Sequence, residues 1–265
     1  MFENTKWLAK AAYVALRRHK EDRQKNDVLQ EYSNGWKSYS NYLEKCDSLE
    51  DWLLIKGLED DSAFYQISGE LKYQKFDIGR FNKQKILETL IREFPDATSI
   101  TEYGCGIGRN LLFLKKQLPH LKCYGYELCL PGVELANAAA KKFGLDVQFS
   151  QLDYVNGLDS EYVFPNVDVT FTMFSLEQLP TSNKQALENI LRHTNQGSIH
   201  LEPVVEKYPY TLRGLIGRIE HWKVDYLKNF DKNISSTNFK EVKAEVLHTS
   251  HNPLMFPTLY VLKKV

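Results

Sequence analysis

Two carboxylates and a run of glycines carry the chemistry most readable in this chain. Ser99 opens the stretch SITEYGCGIGRNLLFLKK. A short β-prone run reaches Glu102, then Gly104-Cys105-Gly106-Ile107-Gly108 follows before an amphipathic helix begins. Glycines between a strand and a helix let a ligand approach backbone that side chains would otherwise cover. Such a turn also aims the unpaired N–H groups of the helix N-terminus at that ligand. Spacing narrows the choice. The dinucleotide pattern G-x-G-x-x-G would need its third glycine where Arg109 or Leu111 stands. The pattern present is E-x-G-x-G-x-G. A second acid, Glu127, closes LKCYGYEL about 20 residues beyond the loop, the separation at which a strand-end acid meets a ribose in a βαβ unit. A carboxylate suits that task because it accepts hydrogen bonds from both hydroxyls.

The ordered segments SITEYGCGIG, LKCYGYEL, VQFSQLDY, VDVTFTMFSLEQLP and NQGSIHLEPV span roughly residues 80–205. Together they resemble the successive motifs of class I S-adenosylmethionine-dependent methyltransferases. The resemblance implies S-adenosylmethionine as cofactor. It implies contacts from Glu102, Gly104, Cys105, Gly106, Gly108, Leu128 and Met173. Glu127 would hold the ribose hydroxyls, although it also reads as a solvated acid at a strand end. Asp153 would meet the adenine amino group with Tyr154 beside the ring, although Asp153 also reads as an ordinary loop residue. In similar enzymes the residues before the helix that precedes the glycine loop hold the methionine carboxylate. Arg80 suits that chemistry through bidentate contact and suits a plain surface position equally well. One departure from the family stands at Gln178, where many relatives carry a histidine; an amide cannot act as a base near neutral pH.

The implied fold is α/β: a doubly wound, mostly parallel seven-stranded sheet with a C-terminal antiparallel hairpin and helical N-terminal additions. Residues 1–80 read as a helical cap and 81–265 as the methyltransferase domain, with 206–233 as a helical insertion over the acceptor. WLAKAAYVALRRHK reads as a helix with Trp7, Leu8, Ala11, Val14 and Ala15 near one side. Its basic end suits either a helix covering the fold or a membrane surface. SLEDWLLIKGLEDD reads as a short helix burying Trp52, Leu53 and Ile55. Asn82 is a plausible N-cap for a helix carrying Ile86, Leu87, Leu90, Ile91 and Phe94. Pro131 and Gly144 fit the opening and closing of the helix after Glu127. The runs VKAEVLHTS and PTLYVLKKV, joined by HNPLMF, form the expected terminal pair.

Composition bounds the rest. The 265 residues carry 34 Lys+Arg and 34 Asp+Glu, so no basic footprint of a dedicated nucleic-acid binder is expected. Cys46, Cys105, Cys123 and Cys129 show no metal-ligand spacing, and no metal is expected. Scattered cysteines without a secretory signal point to the cytoplasm. No apolar run reaches the ~20 residues of a spanning helix. Cys105 reads as a small packing residue of the loop.

The expected function is methyl transfer to a small-molecule acceptor, foremost a hydroxyl of a sugar or other metabolite. A methyltransferase acting on protein or RNA, a non-catalytic cofactor-binding module and, more distantly, an NAD-linked oxidoreductase are the alternatives. A hydroxyl acceptor needs a base. His221 on the insertion, His251 in the terminal loop and Glu202 at the end of the fifth strand lie on segments expected at the ligand edge. His200 shares Glu202's face and reads as buried. Each histidine also reads, and more readily, as a surface or satisfied core residue.

Overall fold

A computed structural model describes residues 2–20, 25–54, 62–157 and 165–265. Four helices open the chain: α1 (Phe2–Arg17), α2 (Lys25–Lys37), α3 (Ser40–Lys45) and α4 (Leu49–Leu53). In α4, Ser48 and Asp51 cap each other's backbone N–H groups, which starts a helix too short to persist alone. Trp52 is buried there and Leu53 half-buried, while Ile55 lies outside the described residues. A small antiparallel hairpin follows, β1 (Ala63–Ile67) and β2 (Glu70–Gln74). An all-helical reading of residues 1–80 misses it. Its two-residue turn is Ser68-Gly69, both with positive φ, and one edge bridges Gln66 to Ser250.

α5 (Ile78–Glu93) is capped by Asp77, which accepts from the Arg80 N–H at 2.6 Å. The expected cap Asn82 is instead buried in the helix interior, so the helix starts a turn earlier than its apolar periodicity suggests. The alternation then runs β3 (Ser99–Tyr103), α6 (Arg109–Gln117), β4 (Lys122–Glu127), α7 (Leu130–Lys142), β5 (Val147–Gln151), β6 (Val167–Met173), α8 (Asn183–Arg192) and β7 (Thr194–Pro203). α9 (Leu212–Lys223) and α10 (Phe230–Ile234) lead to β8 (Phe239–Val246) and β9 (Pro257–Lys264). Pro131 lies in the first turn of α7, and Gly144 follows its C-cap at φ +64°.

The main sheet has seven strands in the order β5-β4-β3-β6-β7-β9-β8. β5, β4, β3, β6 and β7 are parallel; β9 runs antiparallel to β7 and β8. Winding reverses between β3 and β6, and open sheets of this kind bind ligands in the crevice beyond the strand ends at that point. β3 is buried along most of its length, as a central parallel strand covered by helices on both faces must be. The β8–β9 connection lies at the same sheet edge, because Pro257 pairs with Pro203 at the end of β7. Among the described residues no helix is long and apolar enough to cross a membrane.

Candidate functional site

The turn between β3 and α6 places Gly104, Gly106 and Gly108 at φ +74°, +54° and +77°, where a side chain is strained. The three glycines serve different neighbours. A Cβ at Gly104 would strike Ser175, and one at Gly106 would meet the Trp36 ring at 3.0 Å. One at Gly108 would reach Phe149 at 2.5 Å and Ala136 at 2.9 Å. Gly108 therefore sets helix–strand packing beneath the site and is not on the cavity wall, although its place in the motif implies a ligand contact. Nor does the loop present its N–H groups as a free cradle. Gly104 and Cys105 donate to the Tyr126 carbonyl at 2.7 and 3.0 Å, and Gly108 donates to the Cys105 carbonyl at 3.0 Å. Gly106 donates to Glu127 Oε2 at 2.9 Å. What the loop offers is close approach.

Glu127 ends β4 beside this loop. Its Oε1 accepts from the Cys129 N–H at 2.9 Å, so both oxygens are pinned while lone pairs remain for a ligand. Burial raises its pKa against the pull of those N–H donors. Asp153 closes a local turn, accepting from the Val155 and Asn156 N–H groups at 3.0 and 3.3 Å. The Tyr154 hydroxyl meets Ser175 Oγ at 2.7 Å, and its ring lies edge-on to Tyr103, with centroids 5.6 Å apart. Together with Gly104, Cys105, Gly106, Leu128 and Met173, these residues line one cavity of about 540 Å³. The buried Cys105 thiol is held protonated by burial and by Glu102 and Glu127 nearby.

Two expected contacts lie elsewhere. Arg80 is exposed on the first turn of α5 and is not on the cavity wall, because the helix begins before it and turns it outward. Glu102 is fully buried behind the loop, where Asn110 Nδ2 donates to its Oε1 at 2.6 Å. Burial pushes its pKa up to about 8.

The proton-acceptor candidates are also displaced from the cavity. Glu202 is fully buried and accepts the N–H groups of Ser175, Leu176 and Glu177 at 3.1, 3.1 and 3.2 Å. It holds the turn after β6 in place, and burial pushes its pKa up to about 7. His221 and His251 share a separate, smaller cavity of about 150 Å³. There the Tyr208 hydroxyl lies 3.3 Å from His221 Nδ1, and His221 Nε2 lies 2.8 Å from the Leu227 carbonyl. Burial pushes the His221 pKa down to about 4. His200 is buried as expected, between Thr172 Oγ1 and Ser198 Oγ at 2.9 Å each, with its pKa down to about 3. None of residues 206–233 lines the large cavity.

The cover of the large cavity comes from an element that the motifs do not mark. Tyr32 and Trp36 of α2 and Tyr39 beyond it form an aromatic wall, with successive centroids 5.8 and 6.0 Å apart. The indole N–H of Trp36 is buried without a hydrogen-bond partner. Arg109 lines the cavity with its guanidinium 5.0 Å from Tyr39 and 4.8 Å from Trp52. The signal for this wall is present in YSNGWKSY, whose aromatic residues recur at helical spacing. On the opposite wall, Gln178 Nε2 donates to Glu177 Oε1 at 2.9 Å.

Residues 100–197 match the family model described as a methyltransferase domain. Over that stretch the chain is similar to a methyltransferase domain. Its fold is shared with magnesium protoporphyrin IX methyltransferase from Synechocystis PCC 6803, solved with bound SAH, at a TM-score of 0.62 and 11% identity, covering 91% of this chain and 100% of that one. It is also shared with the [4+2]-cyclase SpnF, at a TM-score of 0.58 and 14% identity over 93% and 97% of the two chains. Among curated proteins, the chain is 22% identical over 145 residues to carboxy-S-adenosyl-L-methionine synthase of Campylobacter jejuni subsp. jejuni serotype O:2. That match covers 54% of this chain and 60% of the relative's length.

Proposed function

We propose that the chain binds S-adenosylmethionine in the large cavity and transfers its methyl group to a small-molecule acceptor, foremost a hydroxyl of a sugar or similar metabolite. The observation that carries this reading is the convergence of Gly106, Glu127, Asp153 and the Tyr32–Trp36–Tyr39 wall on one volume of about 540 Å³. The residues fit the cofactor. The glycine loop permits close approach, Glu127 keeps lone pairs for ribose hydroxyls, and Trp36 has an unused donor. The N–H groups of Gly104, Cys105, Gly106 and Gly108 are engaged inside the chain, which suits a ligand without phosphates better than a dinucleotide.

Bound there, the cofactor supplies an activated methyl group. The protein's part is to align the acceptor, exclude water and hold the departing proton. Strand order separates the two ends of the cavity. Glu127 and Asp153 lie on the β4–β5 flank of β3, and Ser175 to Ser182 lie on the β6 flank. The acceptor in this reading lies against the second group, where Glu177 is the carboxylate on the wall. The other base candidates, His221, His251 and Glu202, do not line it. Titration calorimetry with S-adenosylmethionine and its demethylated product tests the cofactor. Binding of both is expected; no heat and no thermal shift with either overturns the reading. With an acceptor in hand, Glu177→Gln should cut turnover by about 10²–10⁴ without changing cofactor affinity.

A second reading has one observation in its favour. Arg109 places a guanidinium on the cavity wall, and a guanidinium can grip a carboxylate. The curated relatives are named for a carboxylated form of the same cofactor. Tighter binding of carboxy-S-adenosylmethionine than of S-adenosylmethionine, lost in Arg109→Gln, would favour it.

A further inference from the structure

The chain is electrically neutral, with 34 basic and 34 acidic side chains, but the charge is unevenly placed. Residues 2–20 and 212–223 hold eight Lys and Arg against only Glu3 and Glu220. These stretches are α1, with the residues just after it, and α9. The two helices pack together through Ala15 and Ile216, with Leu254 of the β8–β9 connection beneath them. Seven of the thirteen exposed large apolar side chains among the described residues also lie on α1, α9 and the turn entering α9.

The arrangement on each helix is regular. α1 turns Trp7, Leu8, Ala11, Ala12 and Ala15 inward. Its outer face carries Lys10, Tyr13, Leu16 and Arg17, with Tyr13 and Leu16 56% and 63% exposed. Helical spacing sets Leu212, Leu215, Ile219 and Trp222 in one stripe of α9. Three of them are exposed: Leu212 at 64%, Leu215 at 47% and Trp222 at 50%. Such a stripe normally faces a core. The two faces join where Lys20 Nζ lies 5.0 Å from the centre of the Trp222 ring.

We propose that this joint face of α1 and α9 docks on an anionic lipid surface. Exposed aliphatic and aromatic side chains interleaved with basic ones suit the headgroup boundary. Tryptophan and tyrosine sit half in apolar surroundings there, and lysine and arginine reach the lipid charge. The excess of like charge opposes pairing of this face with itself in a second copy. Leu16, Leu212 and Leu215 give much of this face no ring on which a nucleic-acid base could stack. The face lies towards the sheet edge on which the large cavity opens, because Leu254 precedes the pairing of Pro257 with Pro203.

Flotation with vesicles tests the proposal. Vesicles of equimolar phosphatidylglycerol and phosphatidylcholine should carry the full chain upward, pure phosphatidylcholine vesicles should not, and high salt should release it. Lys10→Glu with Arg17→Glu should lower the partition coefficient roughly tenfold or more. Leu215→Ser with Trp222→Ser should abolish flotation; all four sites are exposed, and an unchanged circular dichroism spectrum would show that the variants fold. Three results would overturn the proposal. These are failure to float with anionic vesicles, equal flotation of the wild type and both variants, and self-association in sedimentation velocity that Leu215→Ser removes while vesicles leave the chain untouched. The last would assign the face to a second copy of the chain.

Discussion

At the scale of single residues, Glu127 is a carboxylate that fastens the fold on the wall of the large cavity. Its two oxygens tie the glycine loop to the start of α7 through Gly106 and Cys129. Glu127→Ala should therefore weaken S-adenosylmethionine binding by about 1–3 kcal/mol, the cost of lost charge-assisted hydrogen bonds, as read by calorimetry. Glu102 has a different signature. Its folded pKa is raised from the ordinary 4.5 to about 8, so the folded chain holds a proton there that the unfolded chain has released. That contribution is fully present below pH 4.5 and is lost as the pH rises through 8. The buried His200 and His221 act in the opposite sense. Their folded values lie below the ordinary 6.5, so they cost stability only as the pH falls below that point. Between pH 6.5 and 8 the carboxyl effect stands apart from them. Chemical denaturation across that range should show wild-type stability falling more steeply than that of Glu102→Gln.

At the scale of elements, the loop and the turn opposite it are separable parts. Gly108 packs against Phe149 and Ala136, so Gly108→Ala combines left-handed strain with overpacking. A loss of about 2–4 kcal/mol in global stability is expected in a denaturant titration. Gly106→Ala meets the edge of Trp36 instead, and its main effect should be on ligand affinity. Across the crevice, Glu202 fastens the turn carrying Ser175, Leu176 and Glu177. Removing its carboxylate in Glu202→Ala leaves three buried N–H groups without their acceptor. About 1–3 kcal/mol of stability should be lost, with Tyr154 and Ser175 displaced from their present contact. A Glu202→Ala variant as stable as wild type would refute this role.

At the scale of the molecule, the N-terminal helices complete the cavity. The aromatic wall comes from residues 32–39, far in sequence from the glycine loop that Trp36 covers. Hydrogen exchange on cofactor binding should therefore slow in residues 25–53, 104–109 and 152–156. Residues 206–233, which sequence alone suggests as a cover together with residues 1–80, should be unaffected. Slowing confined to 206–233 would contradict the observed wall. Trp36 also offers an optical reading: a change in tryptophan emission on binding should disappear in Trp36→Phe.

Features governed by a few neighbouring residues are legible in the sequence itself. Glycines at alternate positions announce left-handed backbone at Gly104, Gly106 and Gly108, because other residues are strained there. The resemblance carried by the ordered motifs implies the doubly wound sheet with its terminal hairpin, and that is the sheet observed. Which side chains meet across the crevice is not legible. Glu202 and His221 look like free bases in sequence, yet Glu202 accepts the N–H groups of the turn after β6, and His221 is held between the Tyr208 hydroxyl and the Leu227 carbonyl. Arg80 looks like a ligand contact until Asp77 sets where α5 begins. Trp36 looks like any aromatic residue on a polar helix until the packing of α2 against α7 lays it over Gly106. Local propensity acts over a turn of chain, whereas these roles depend on how helices distant in sequence share one buried surface.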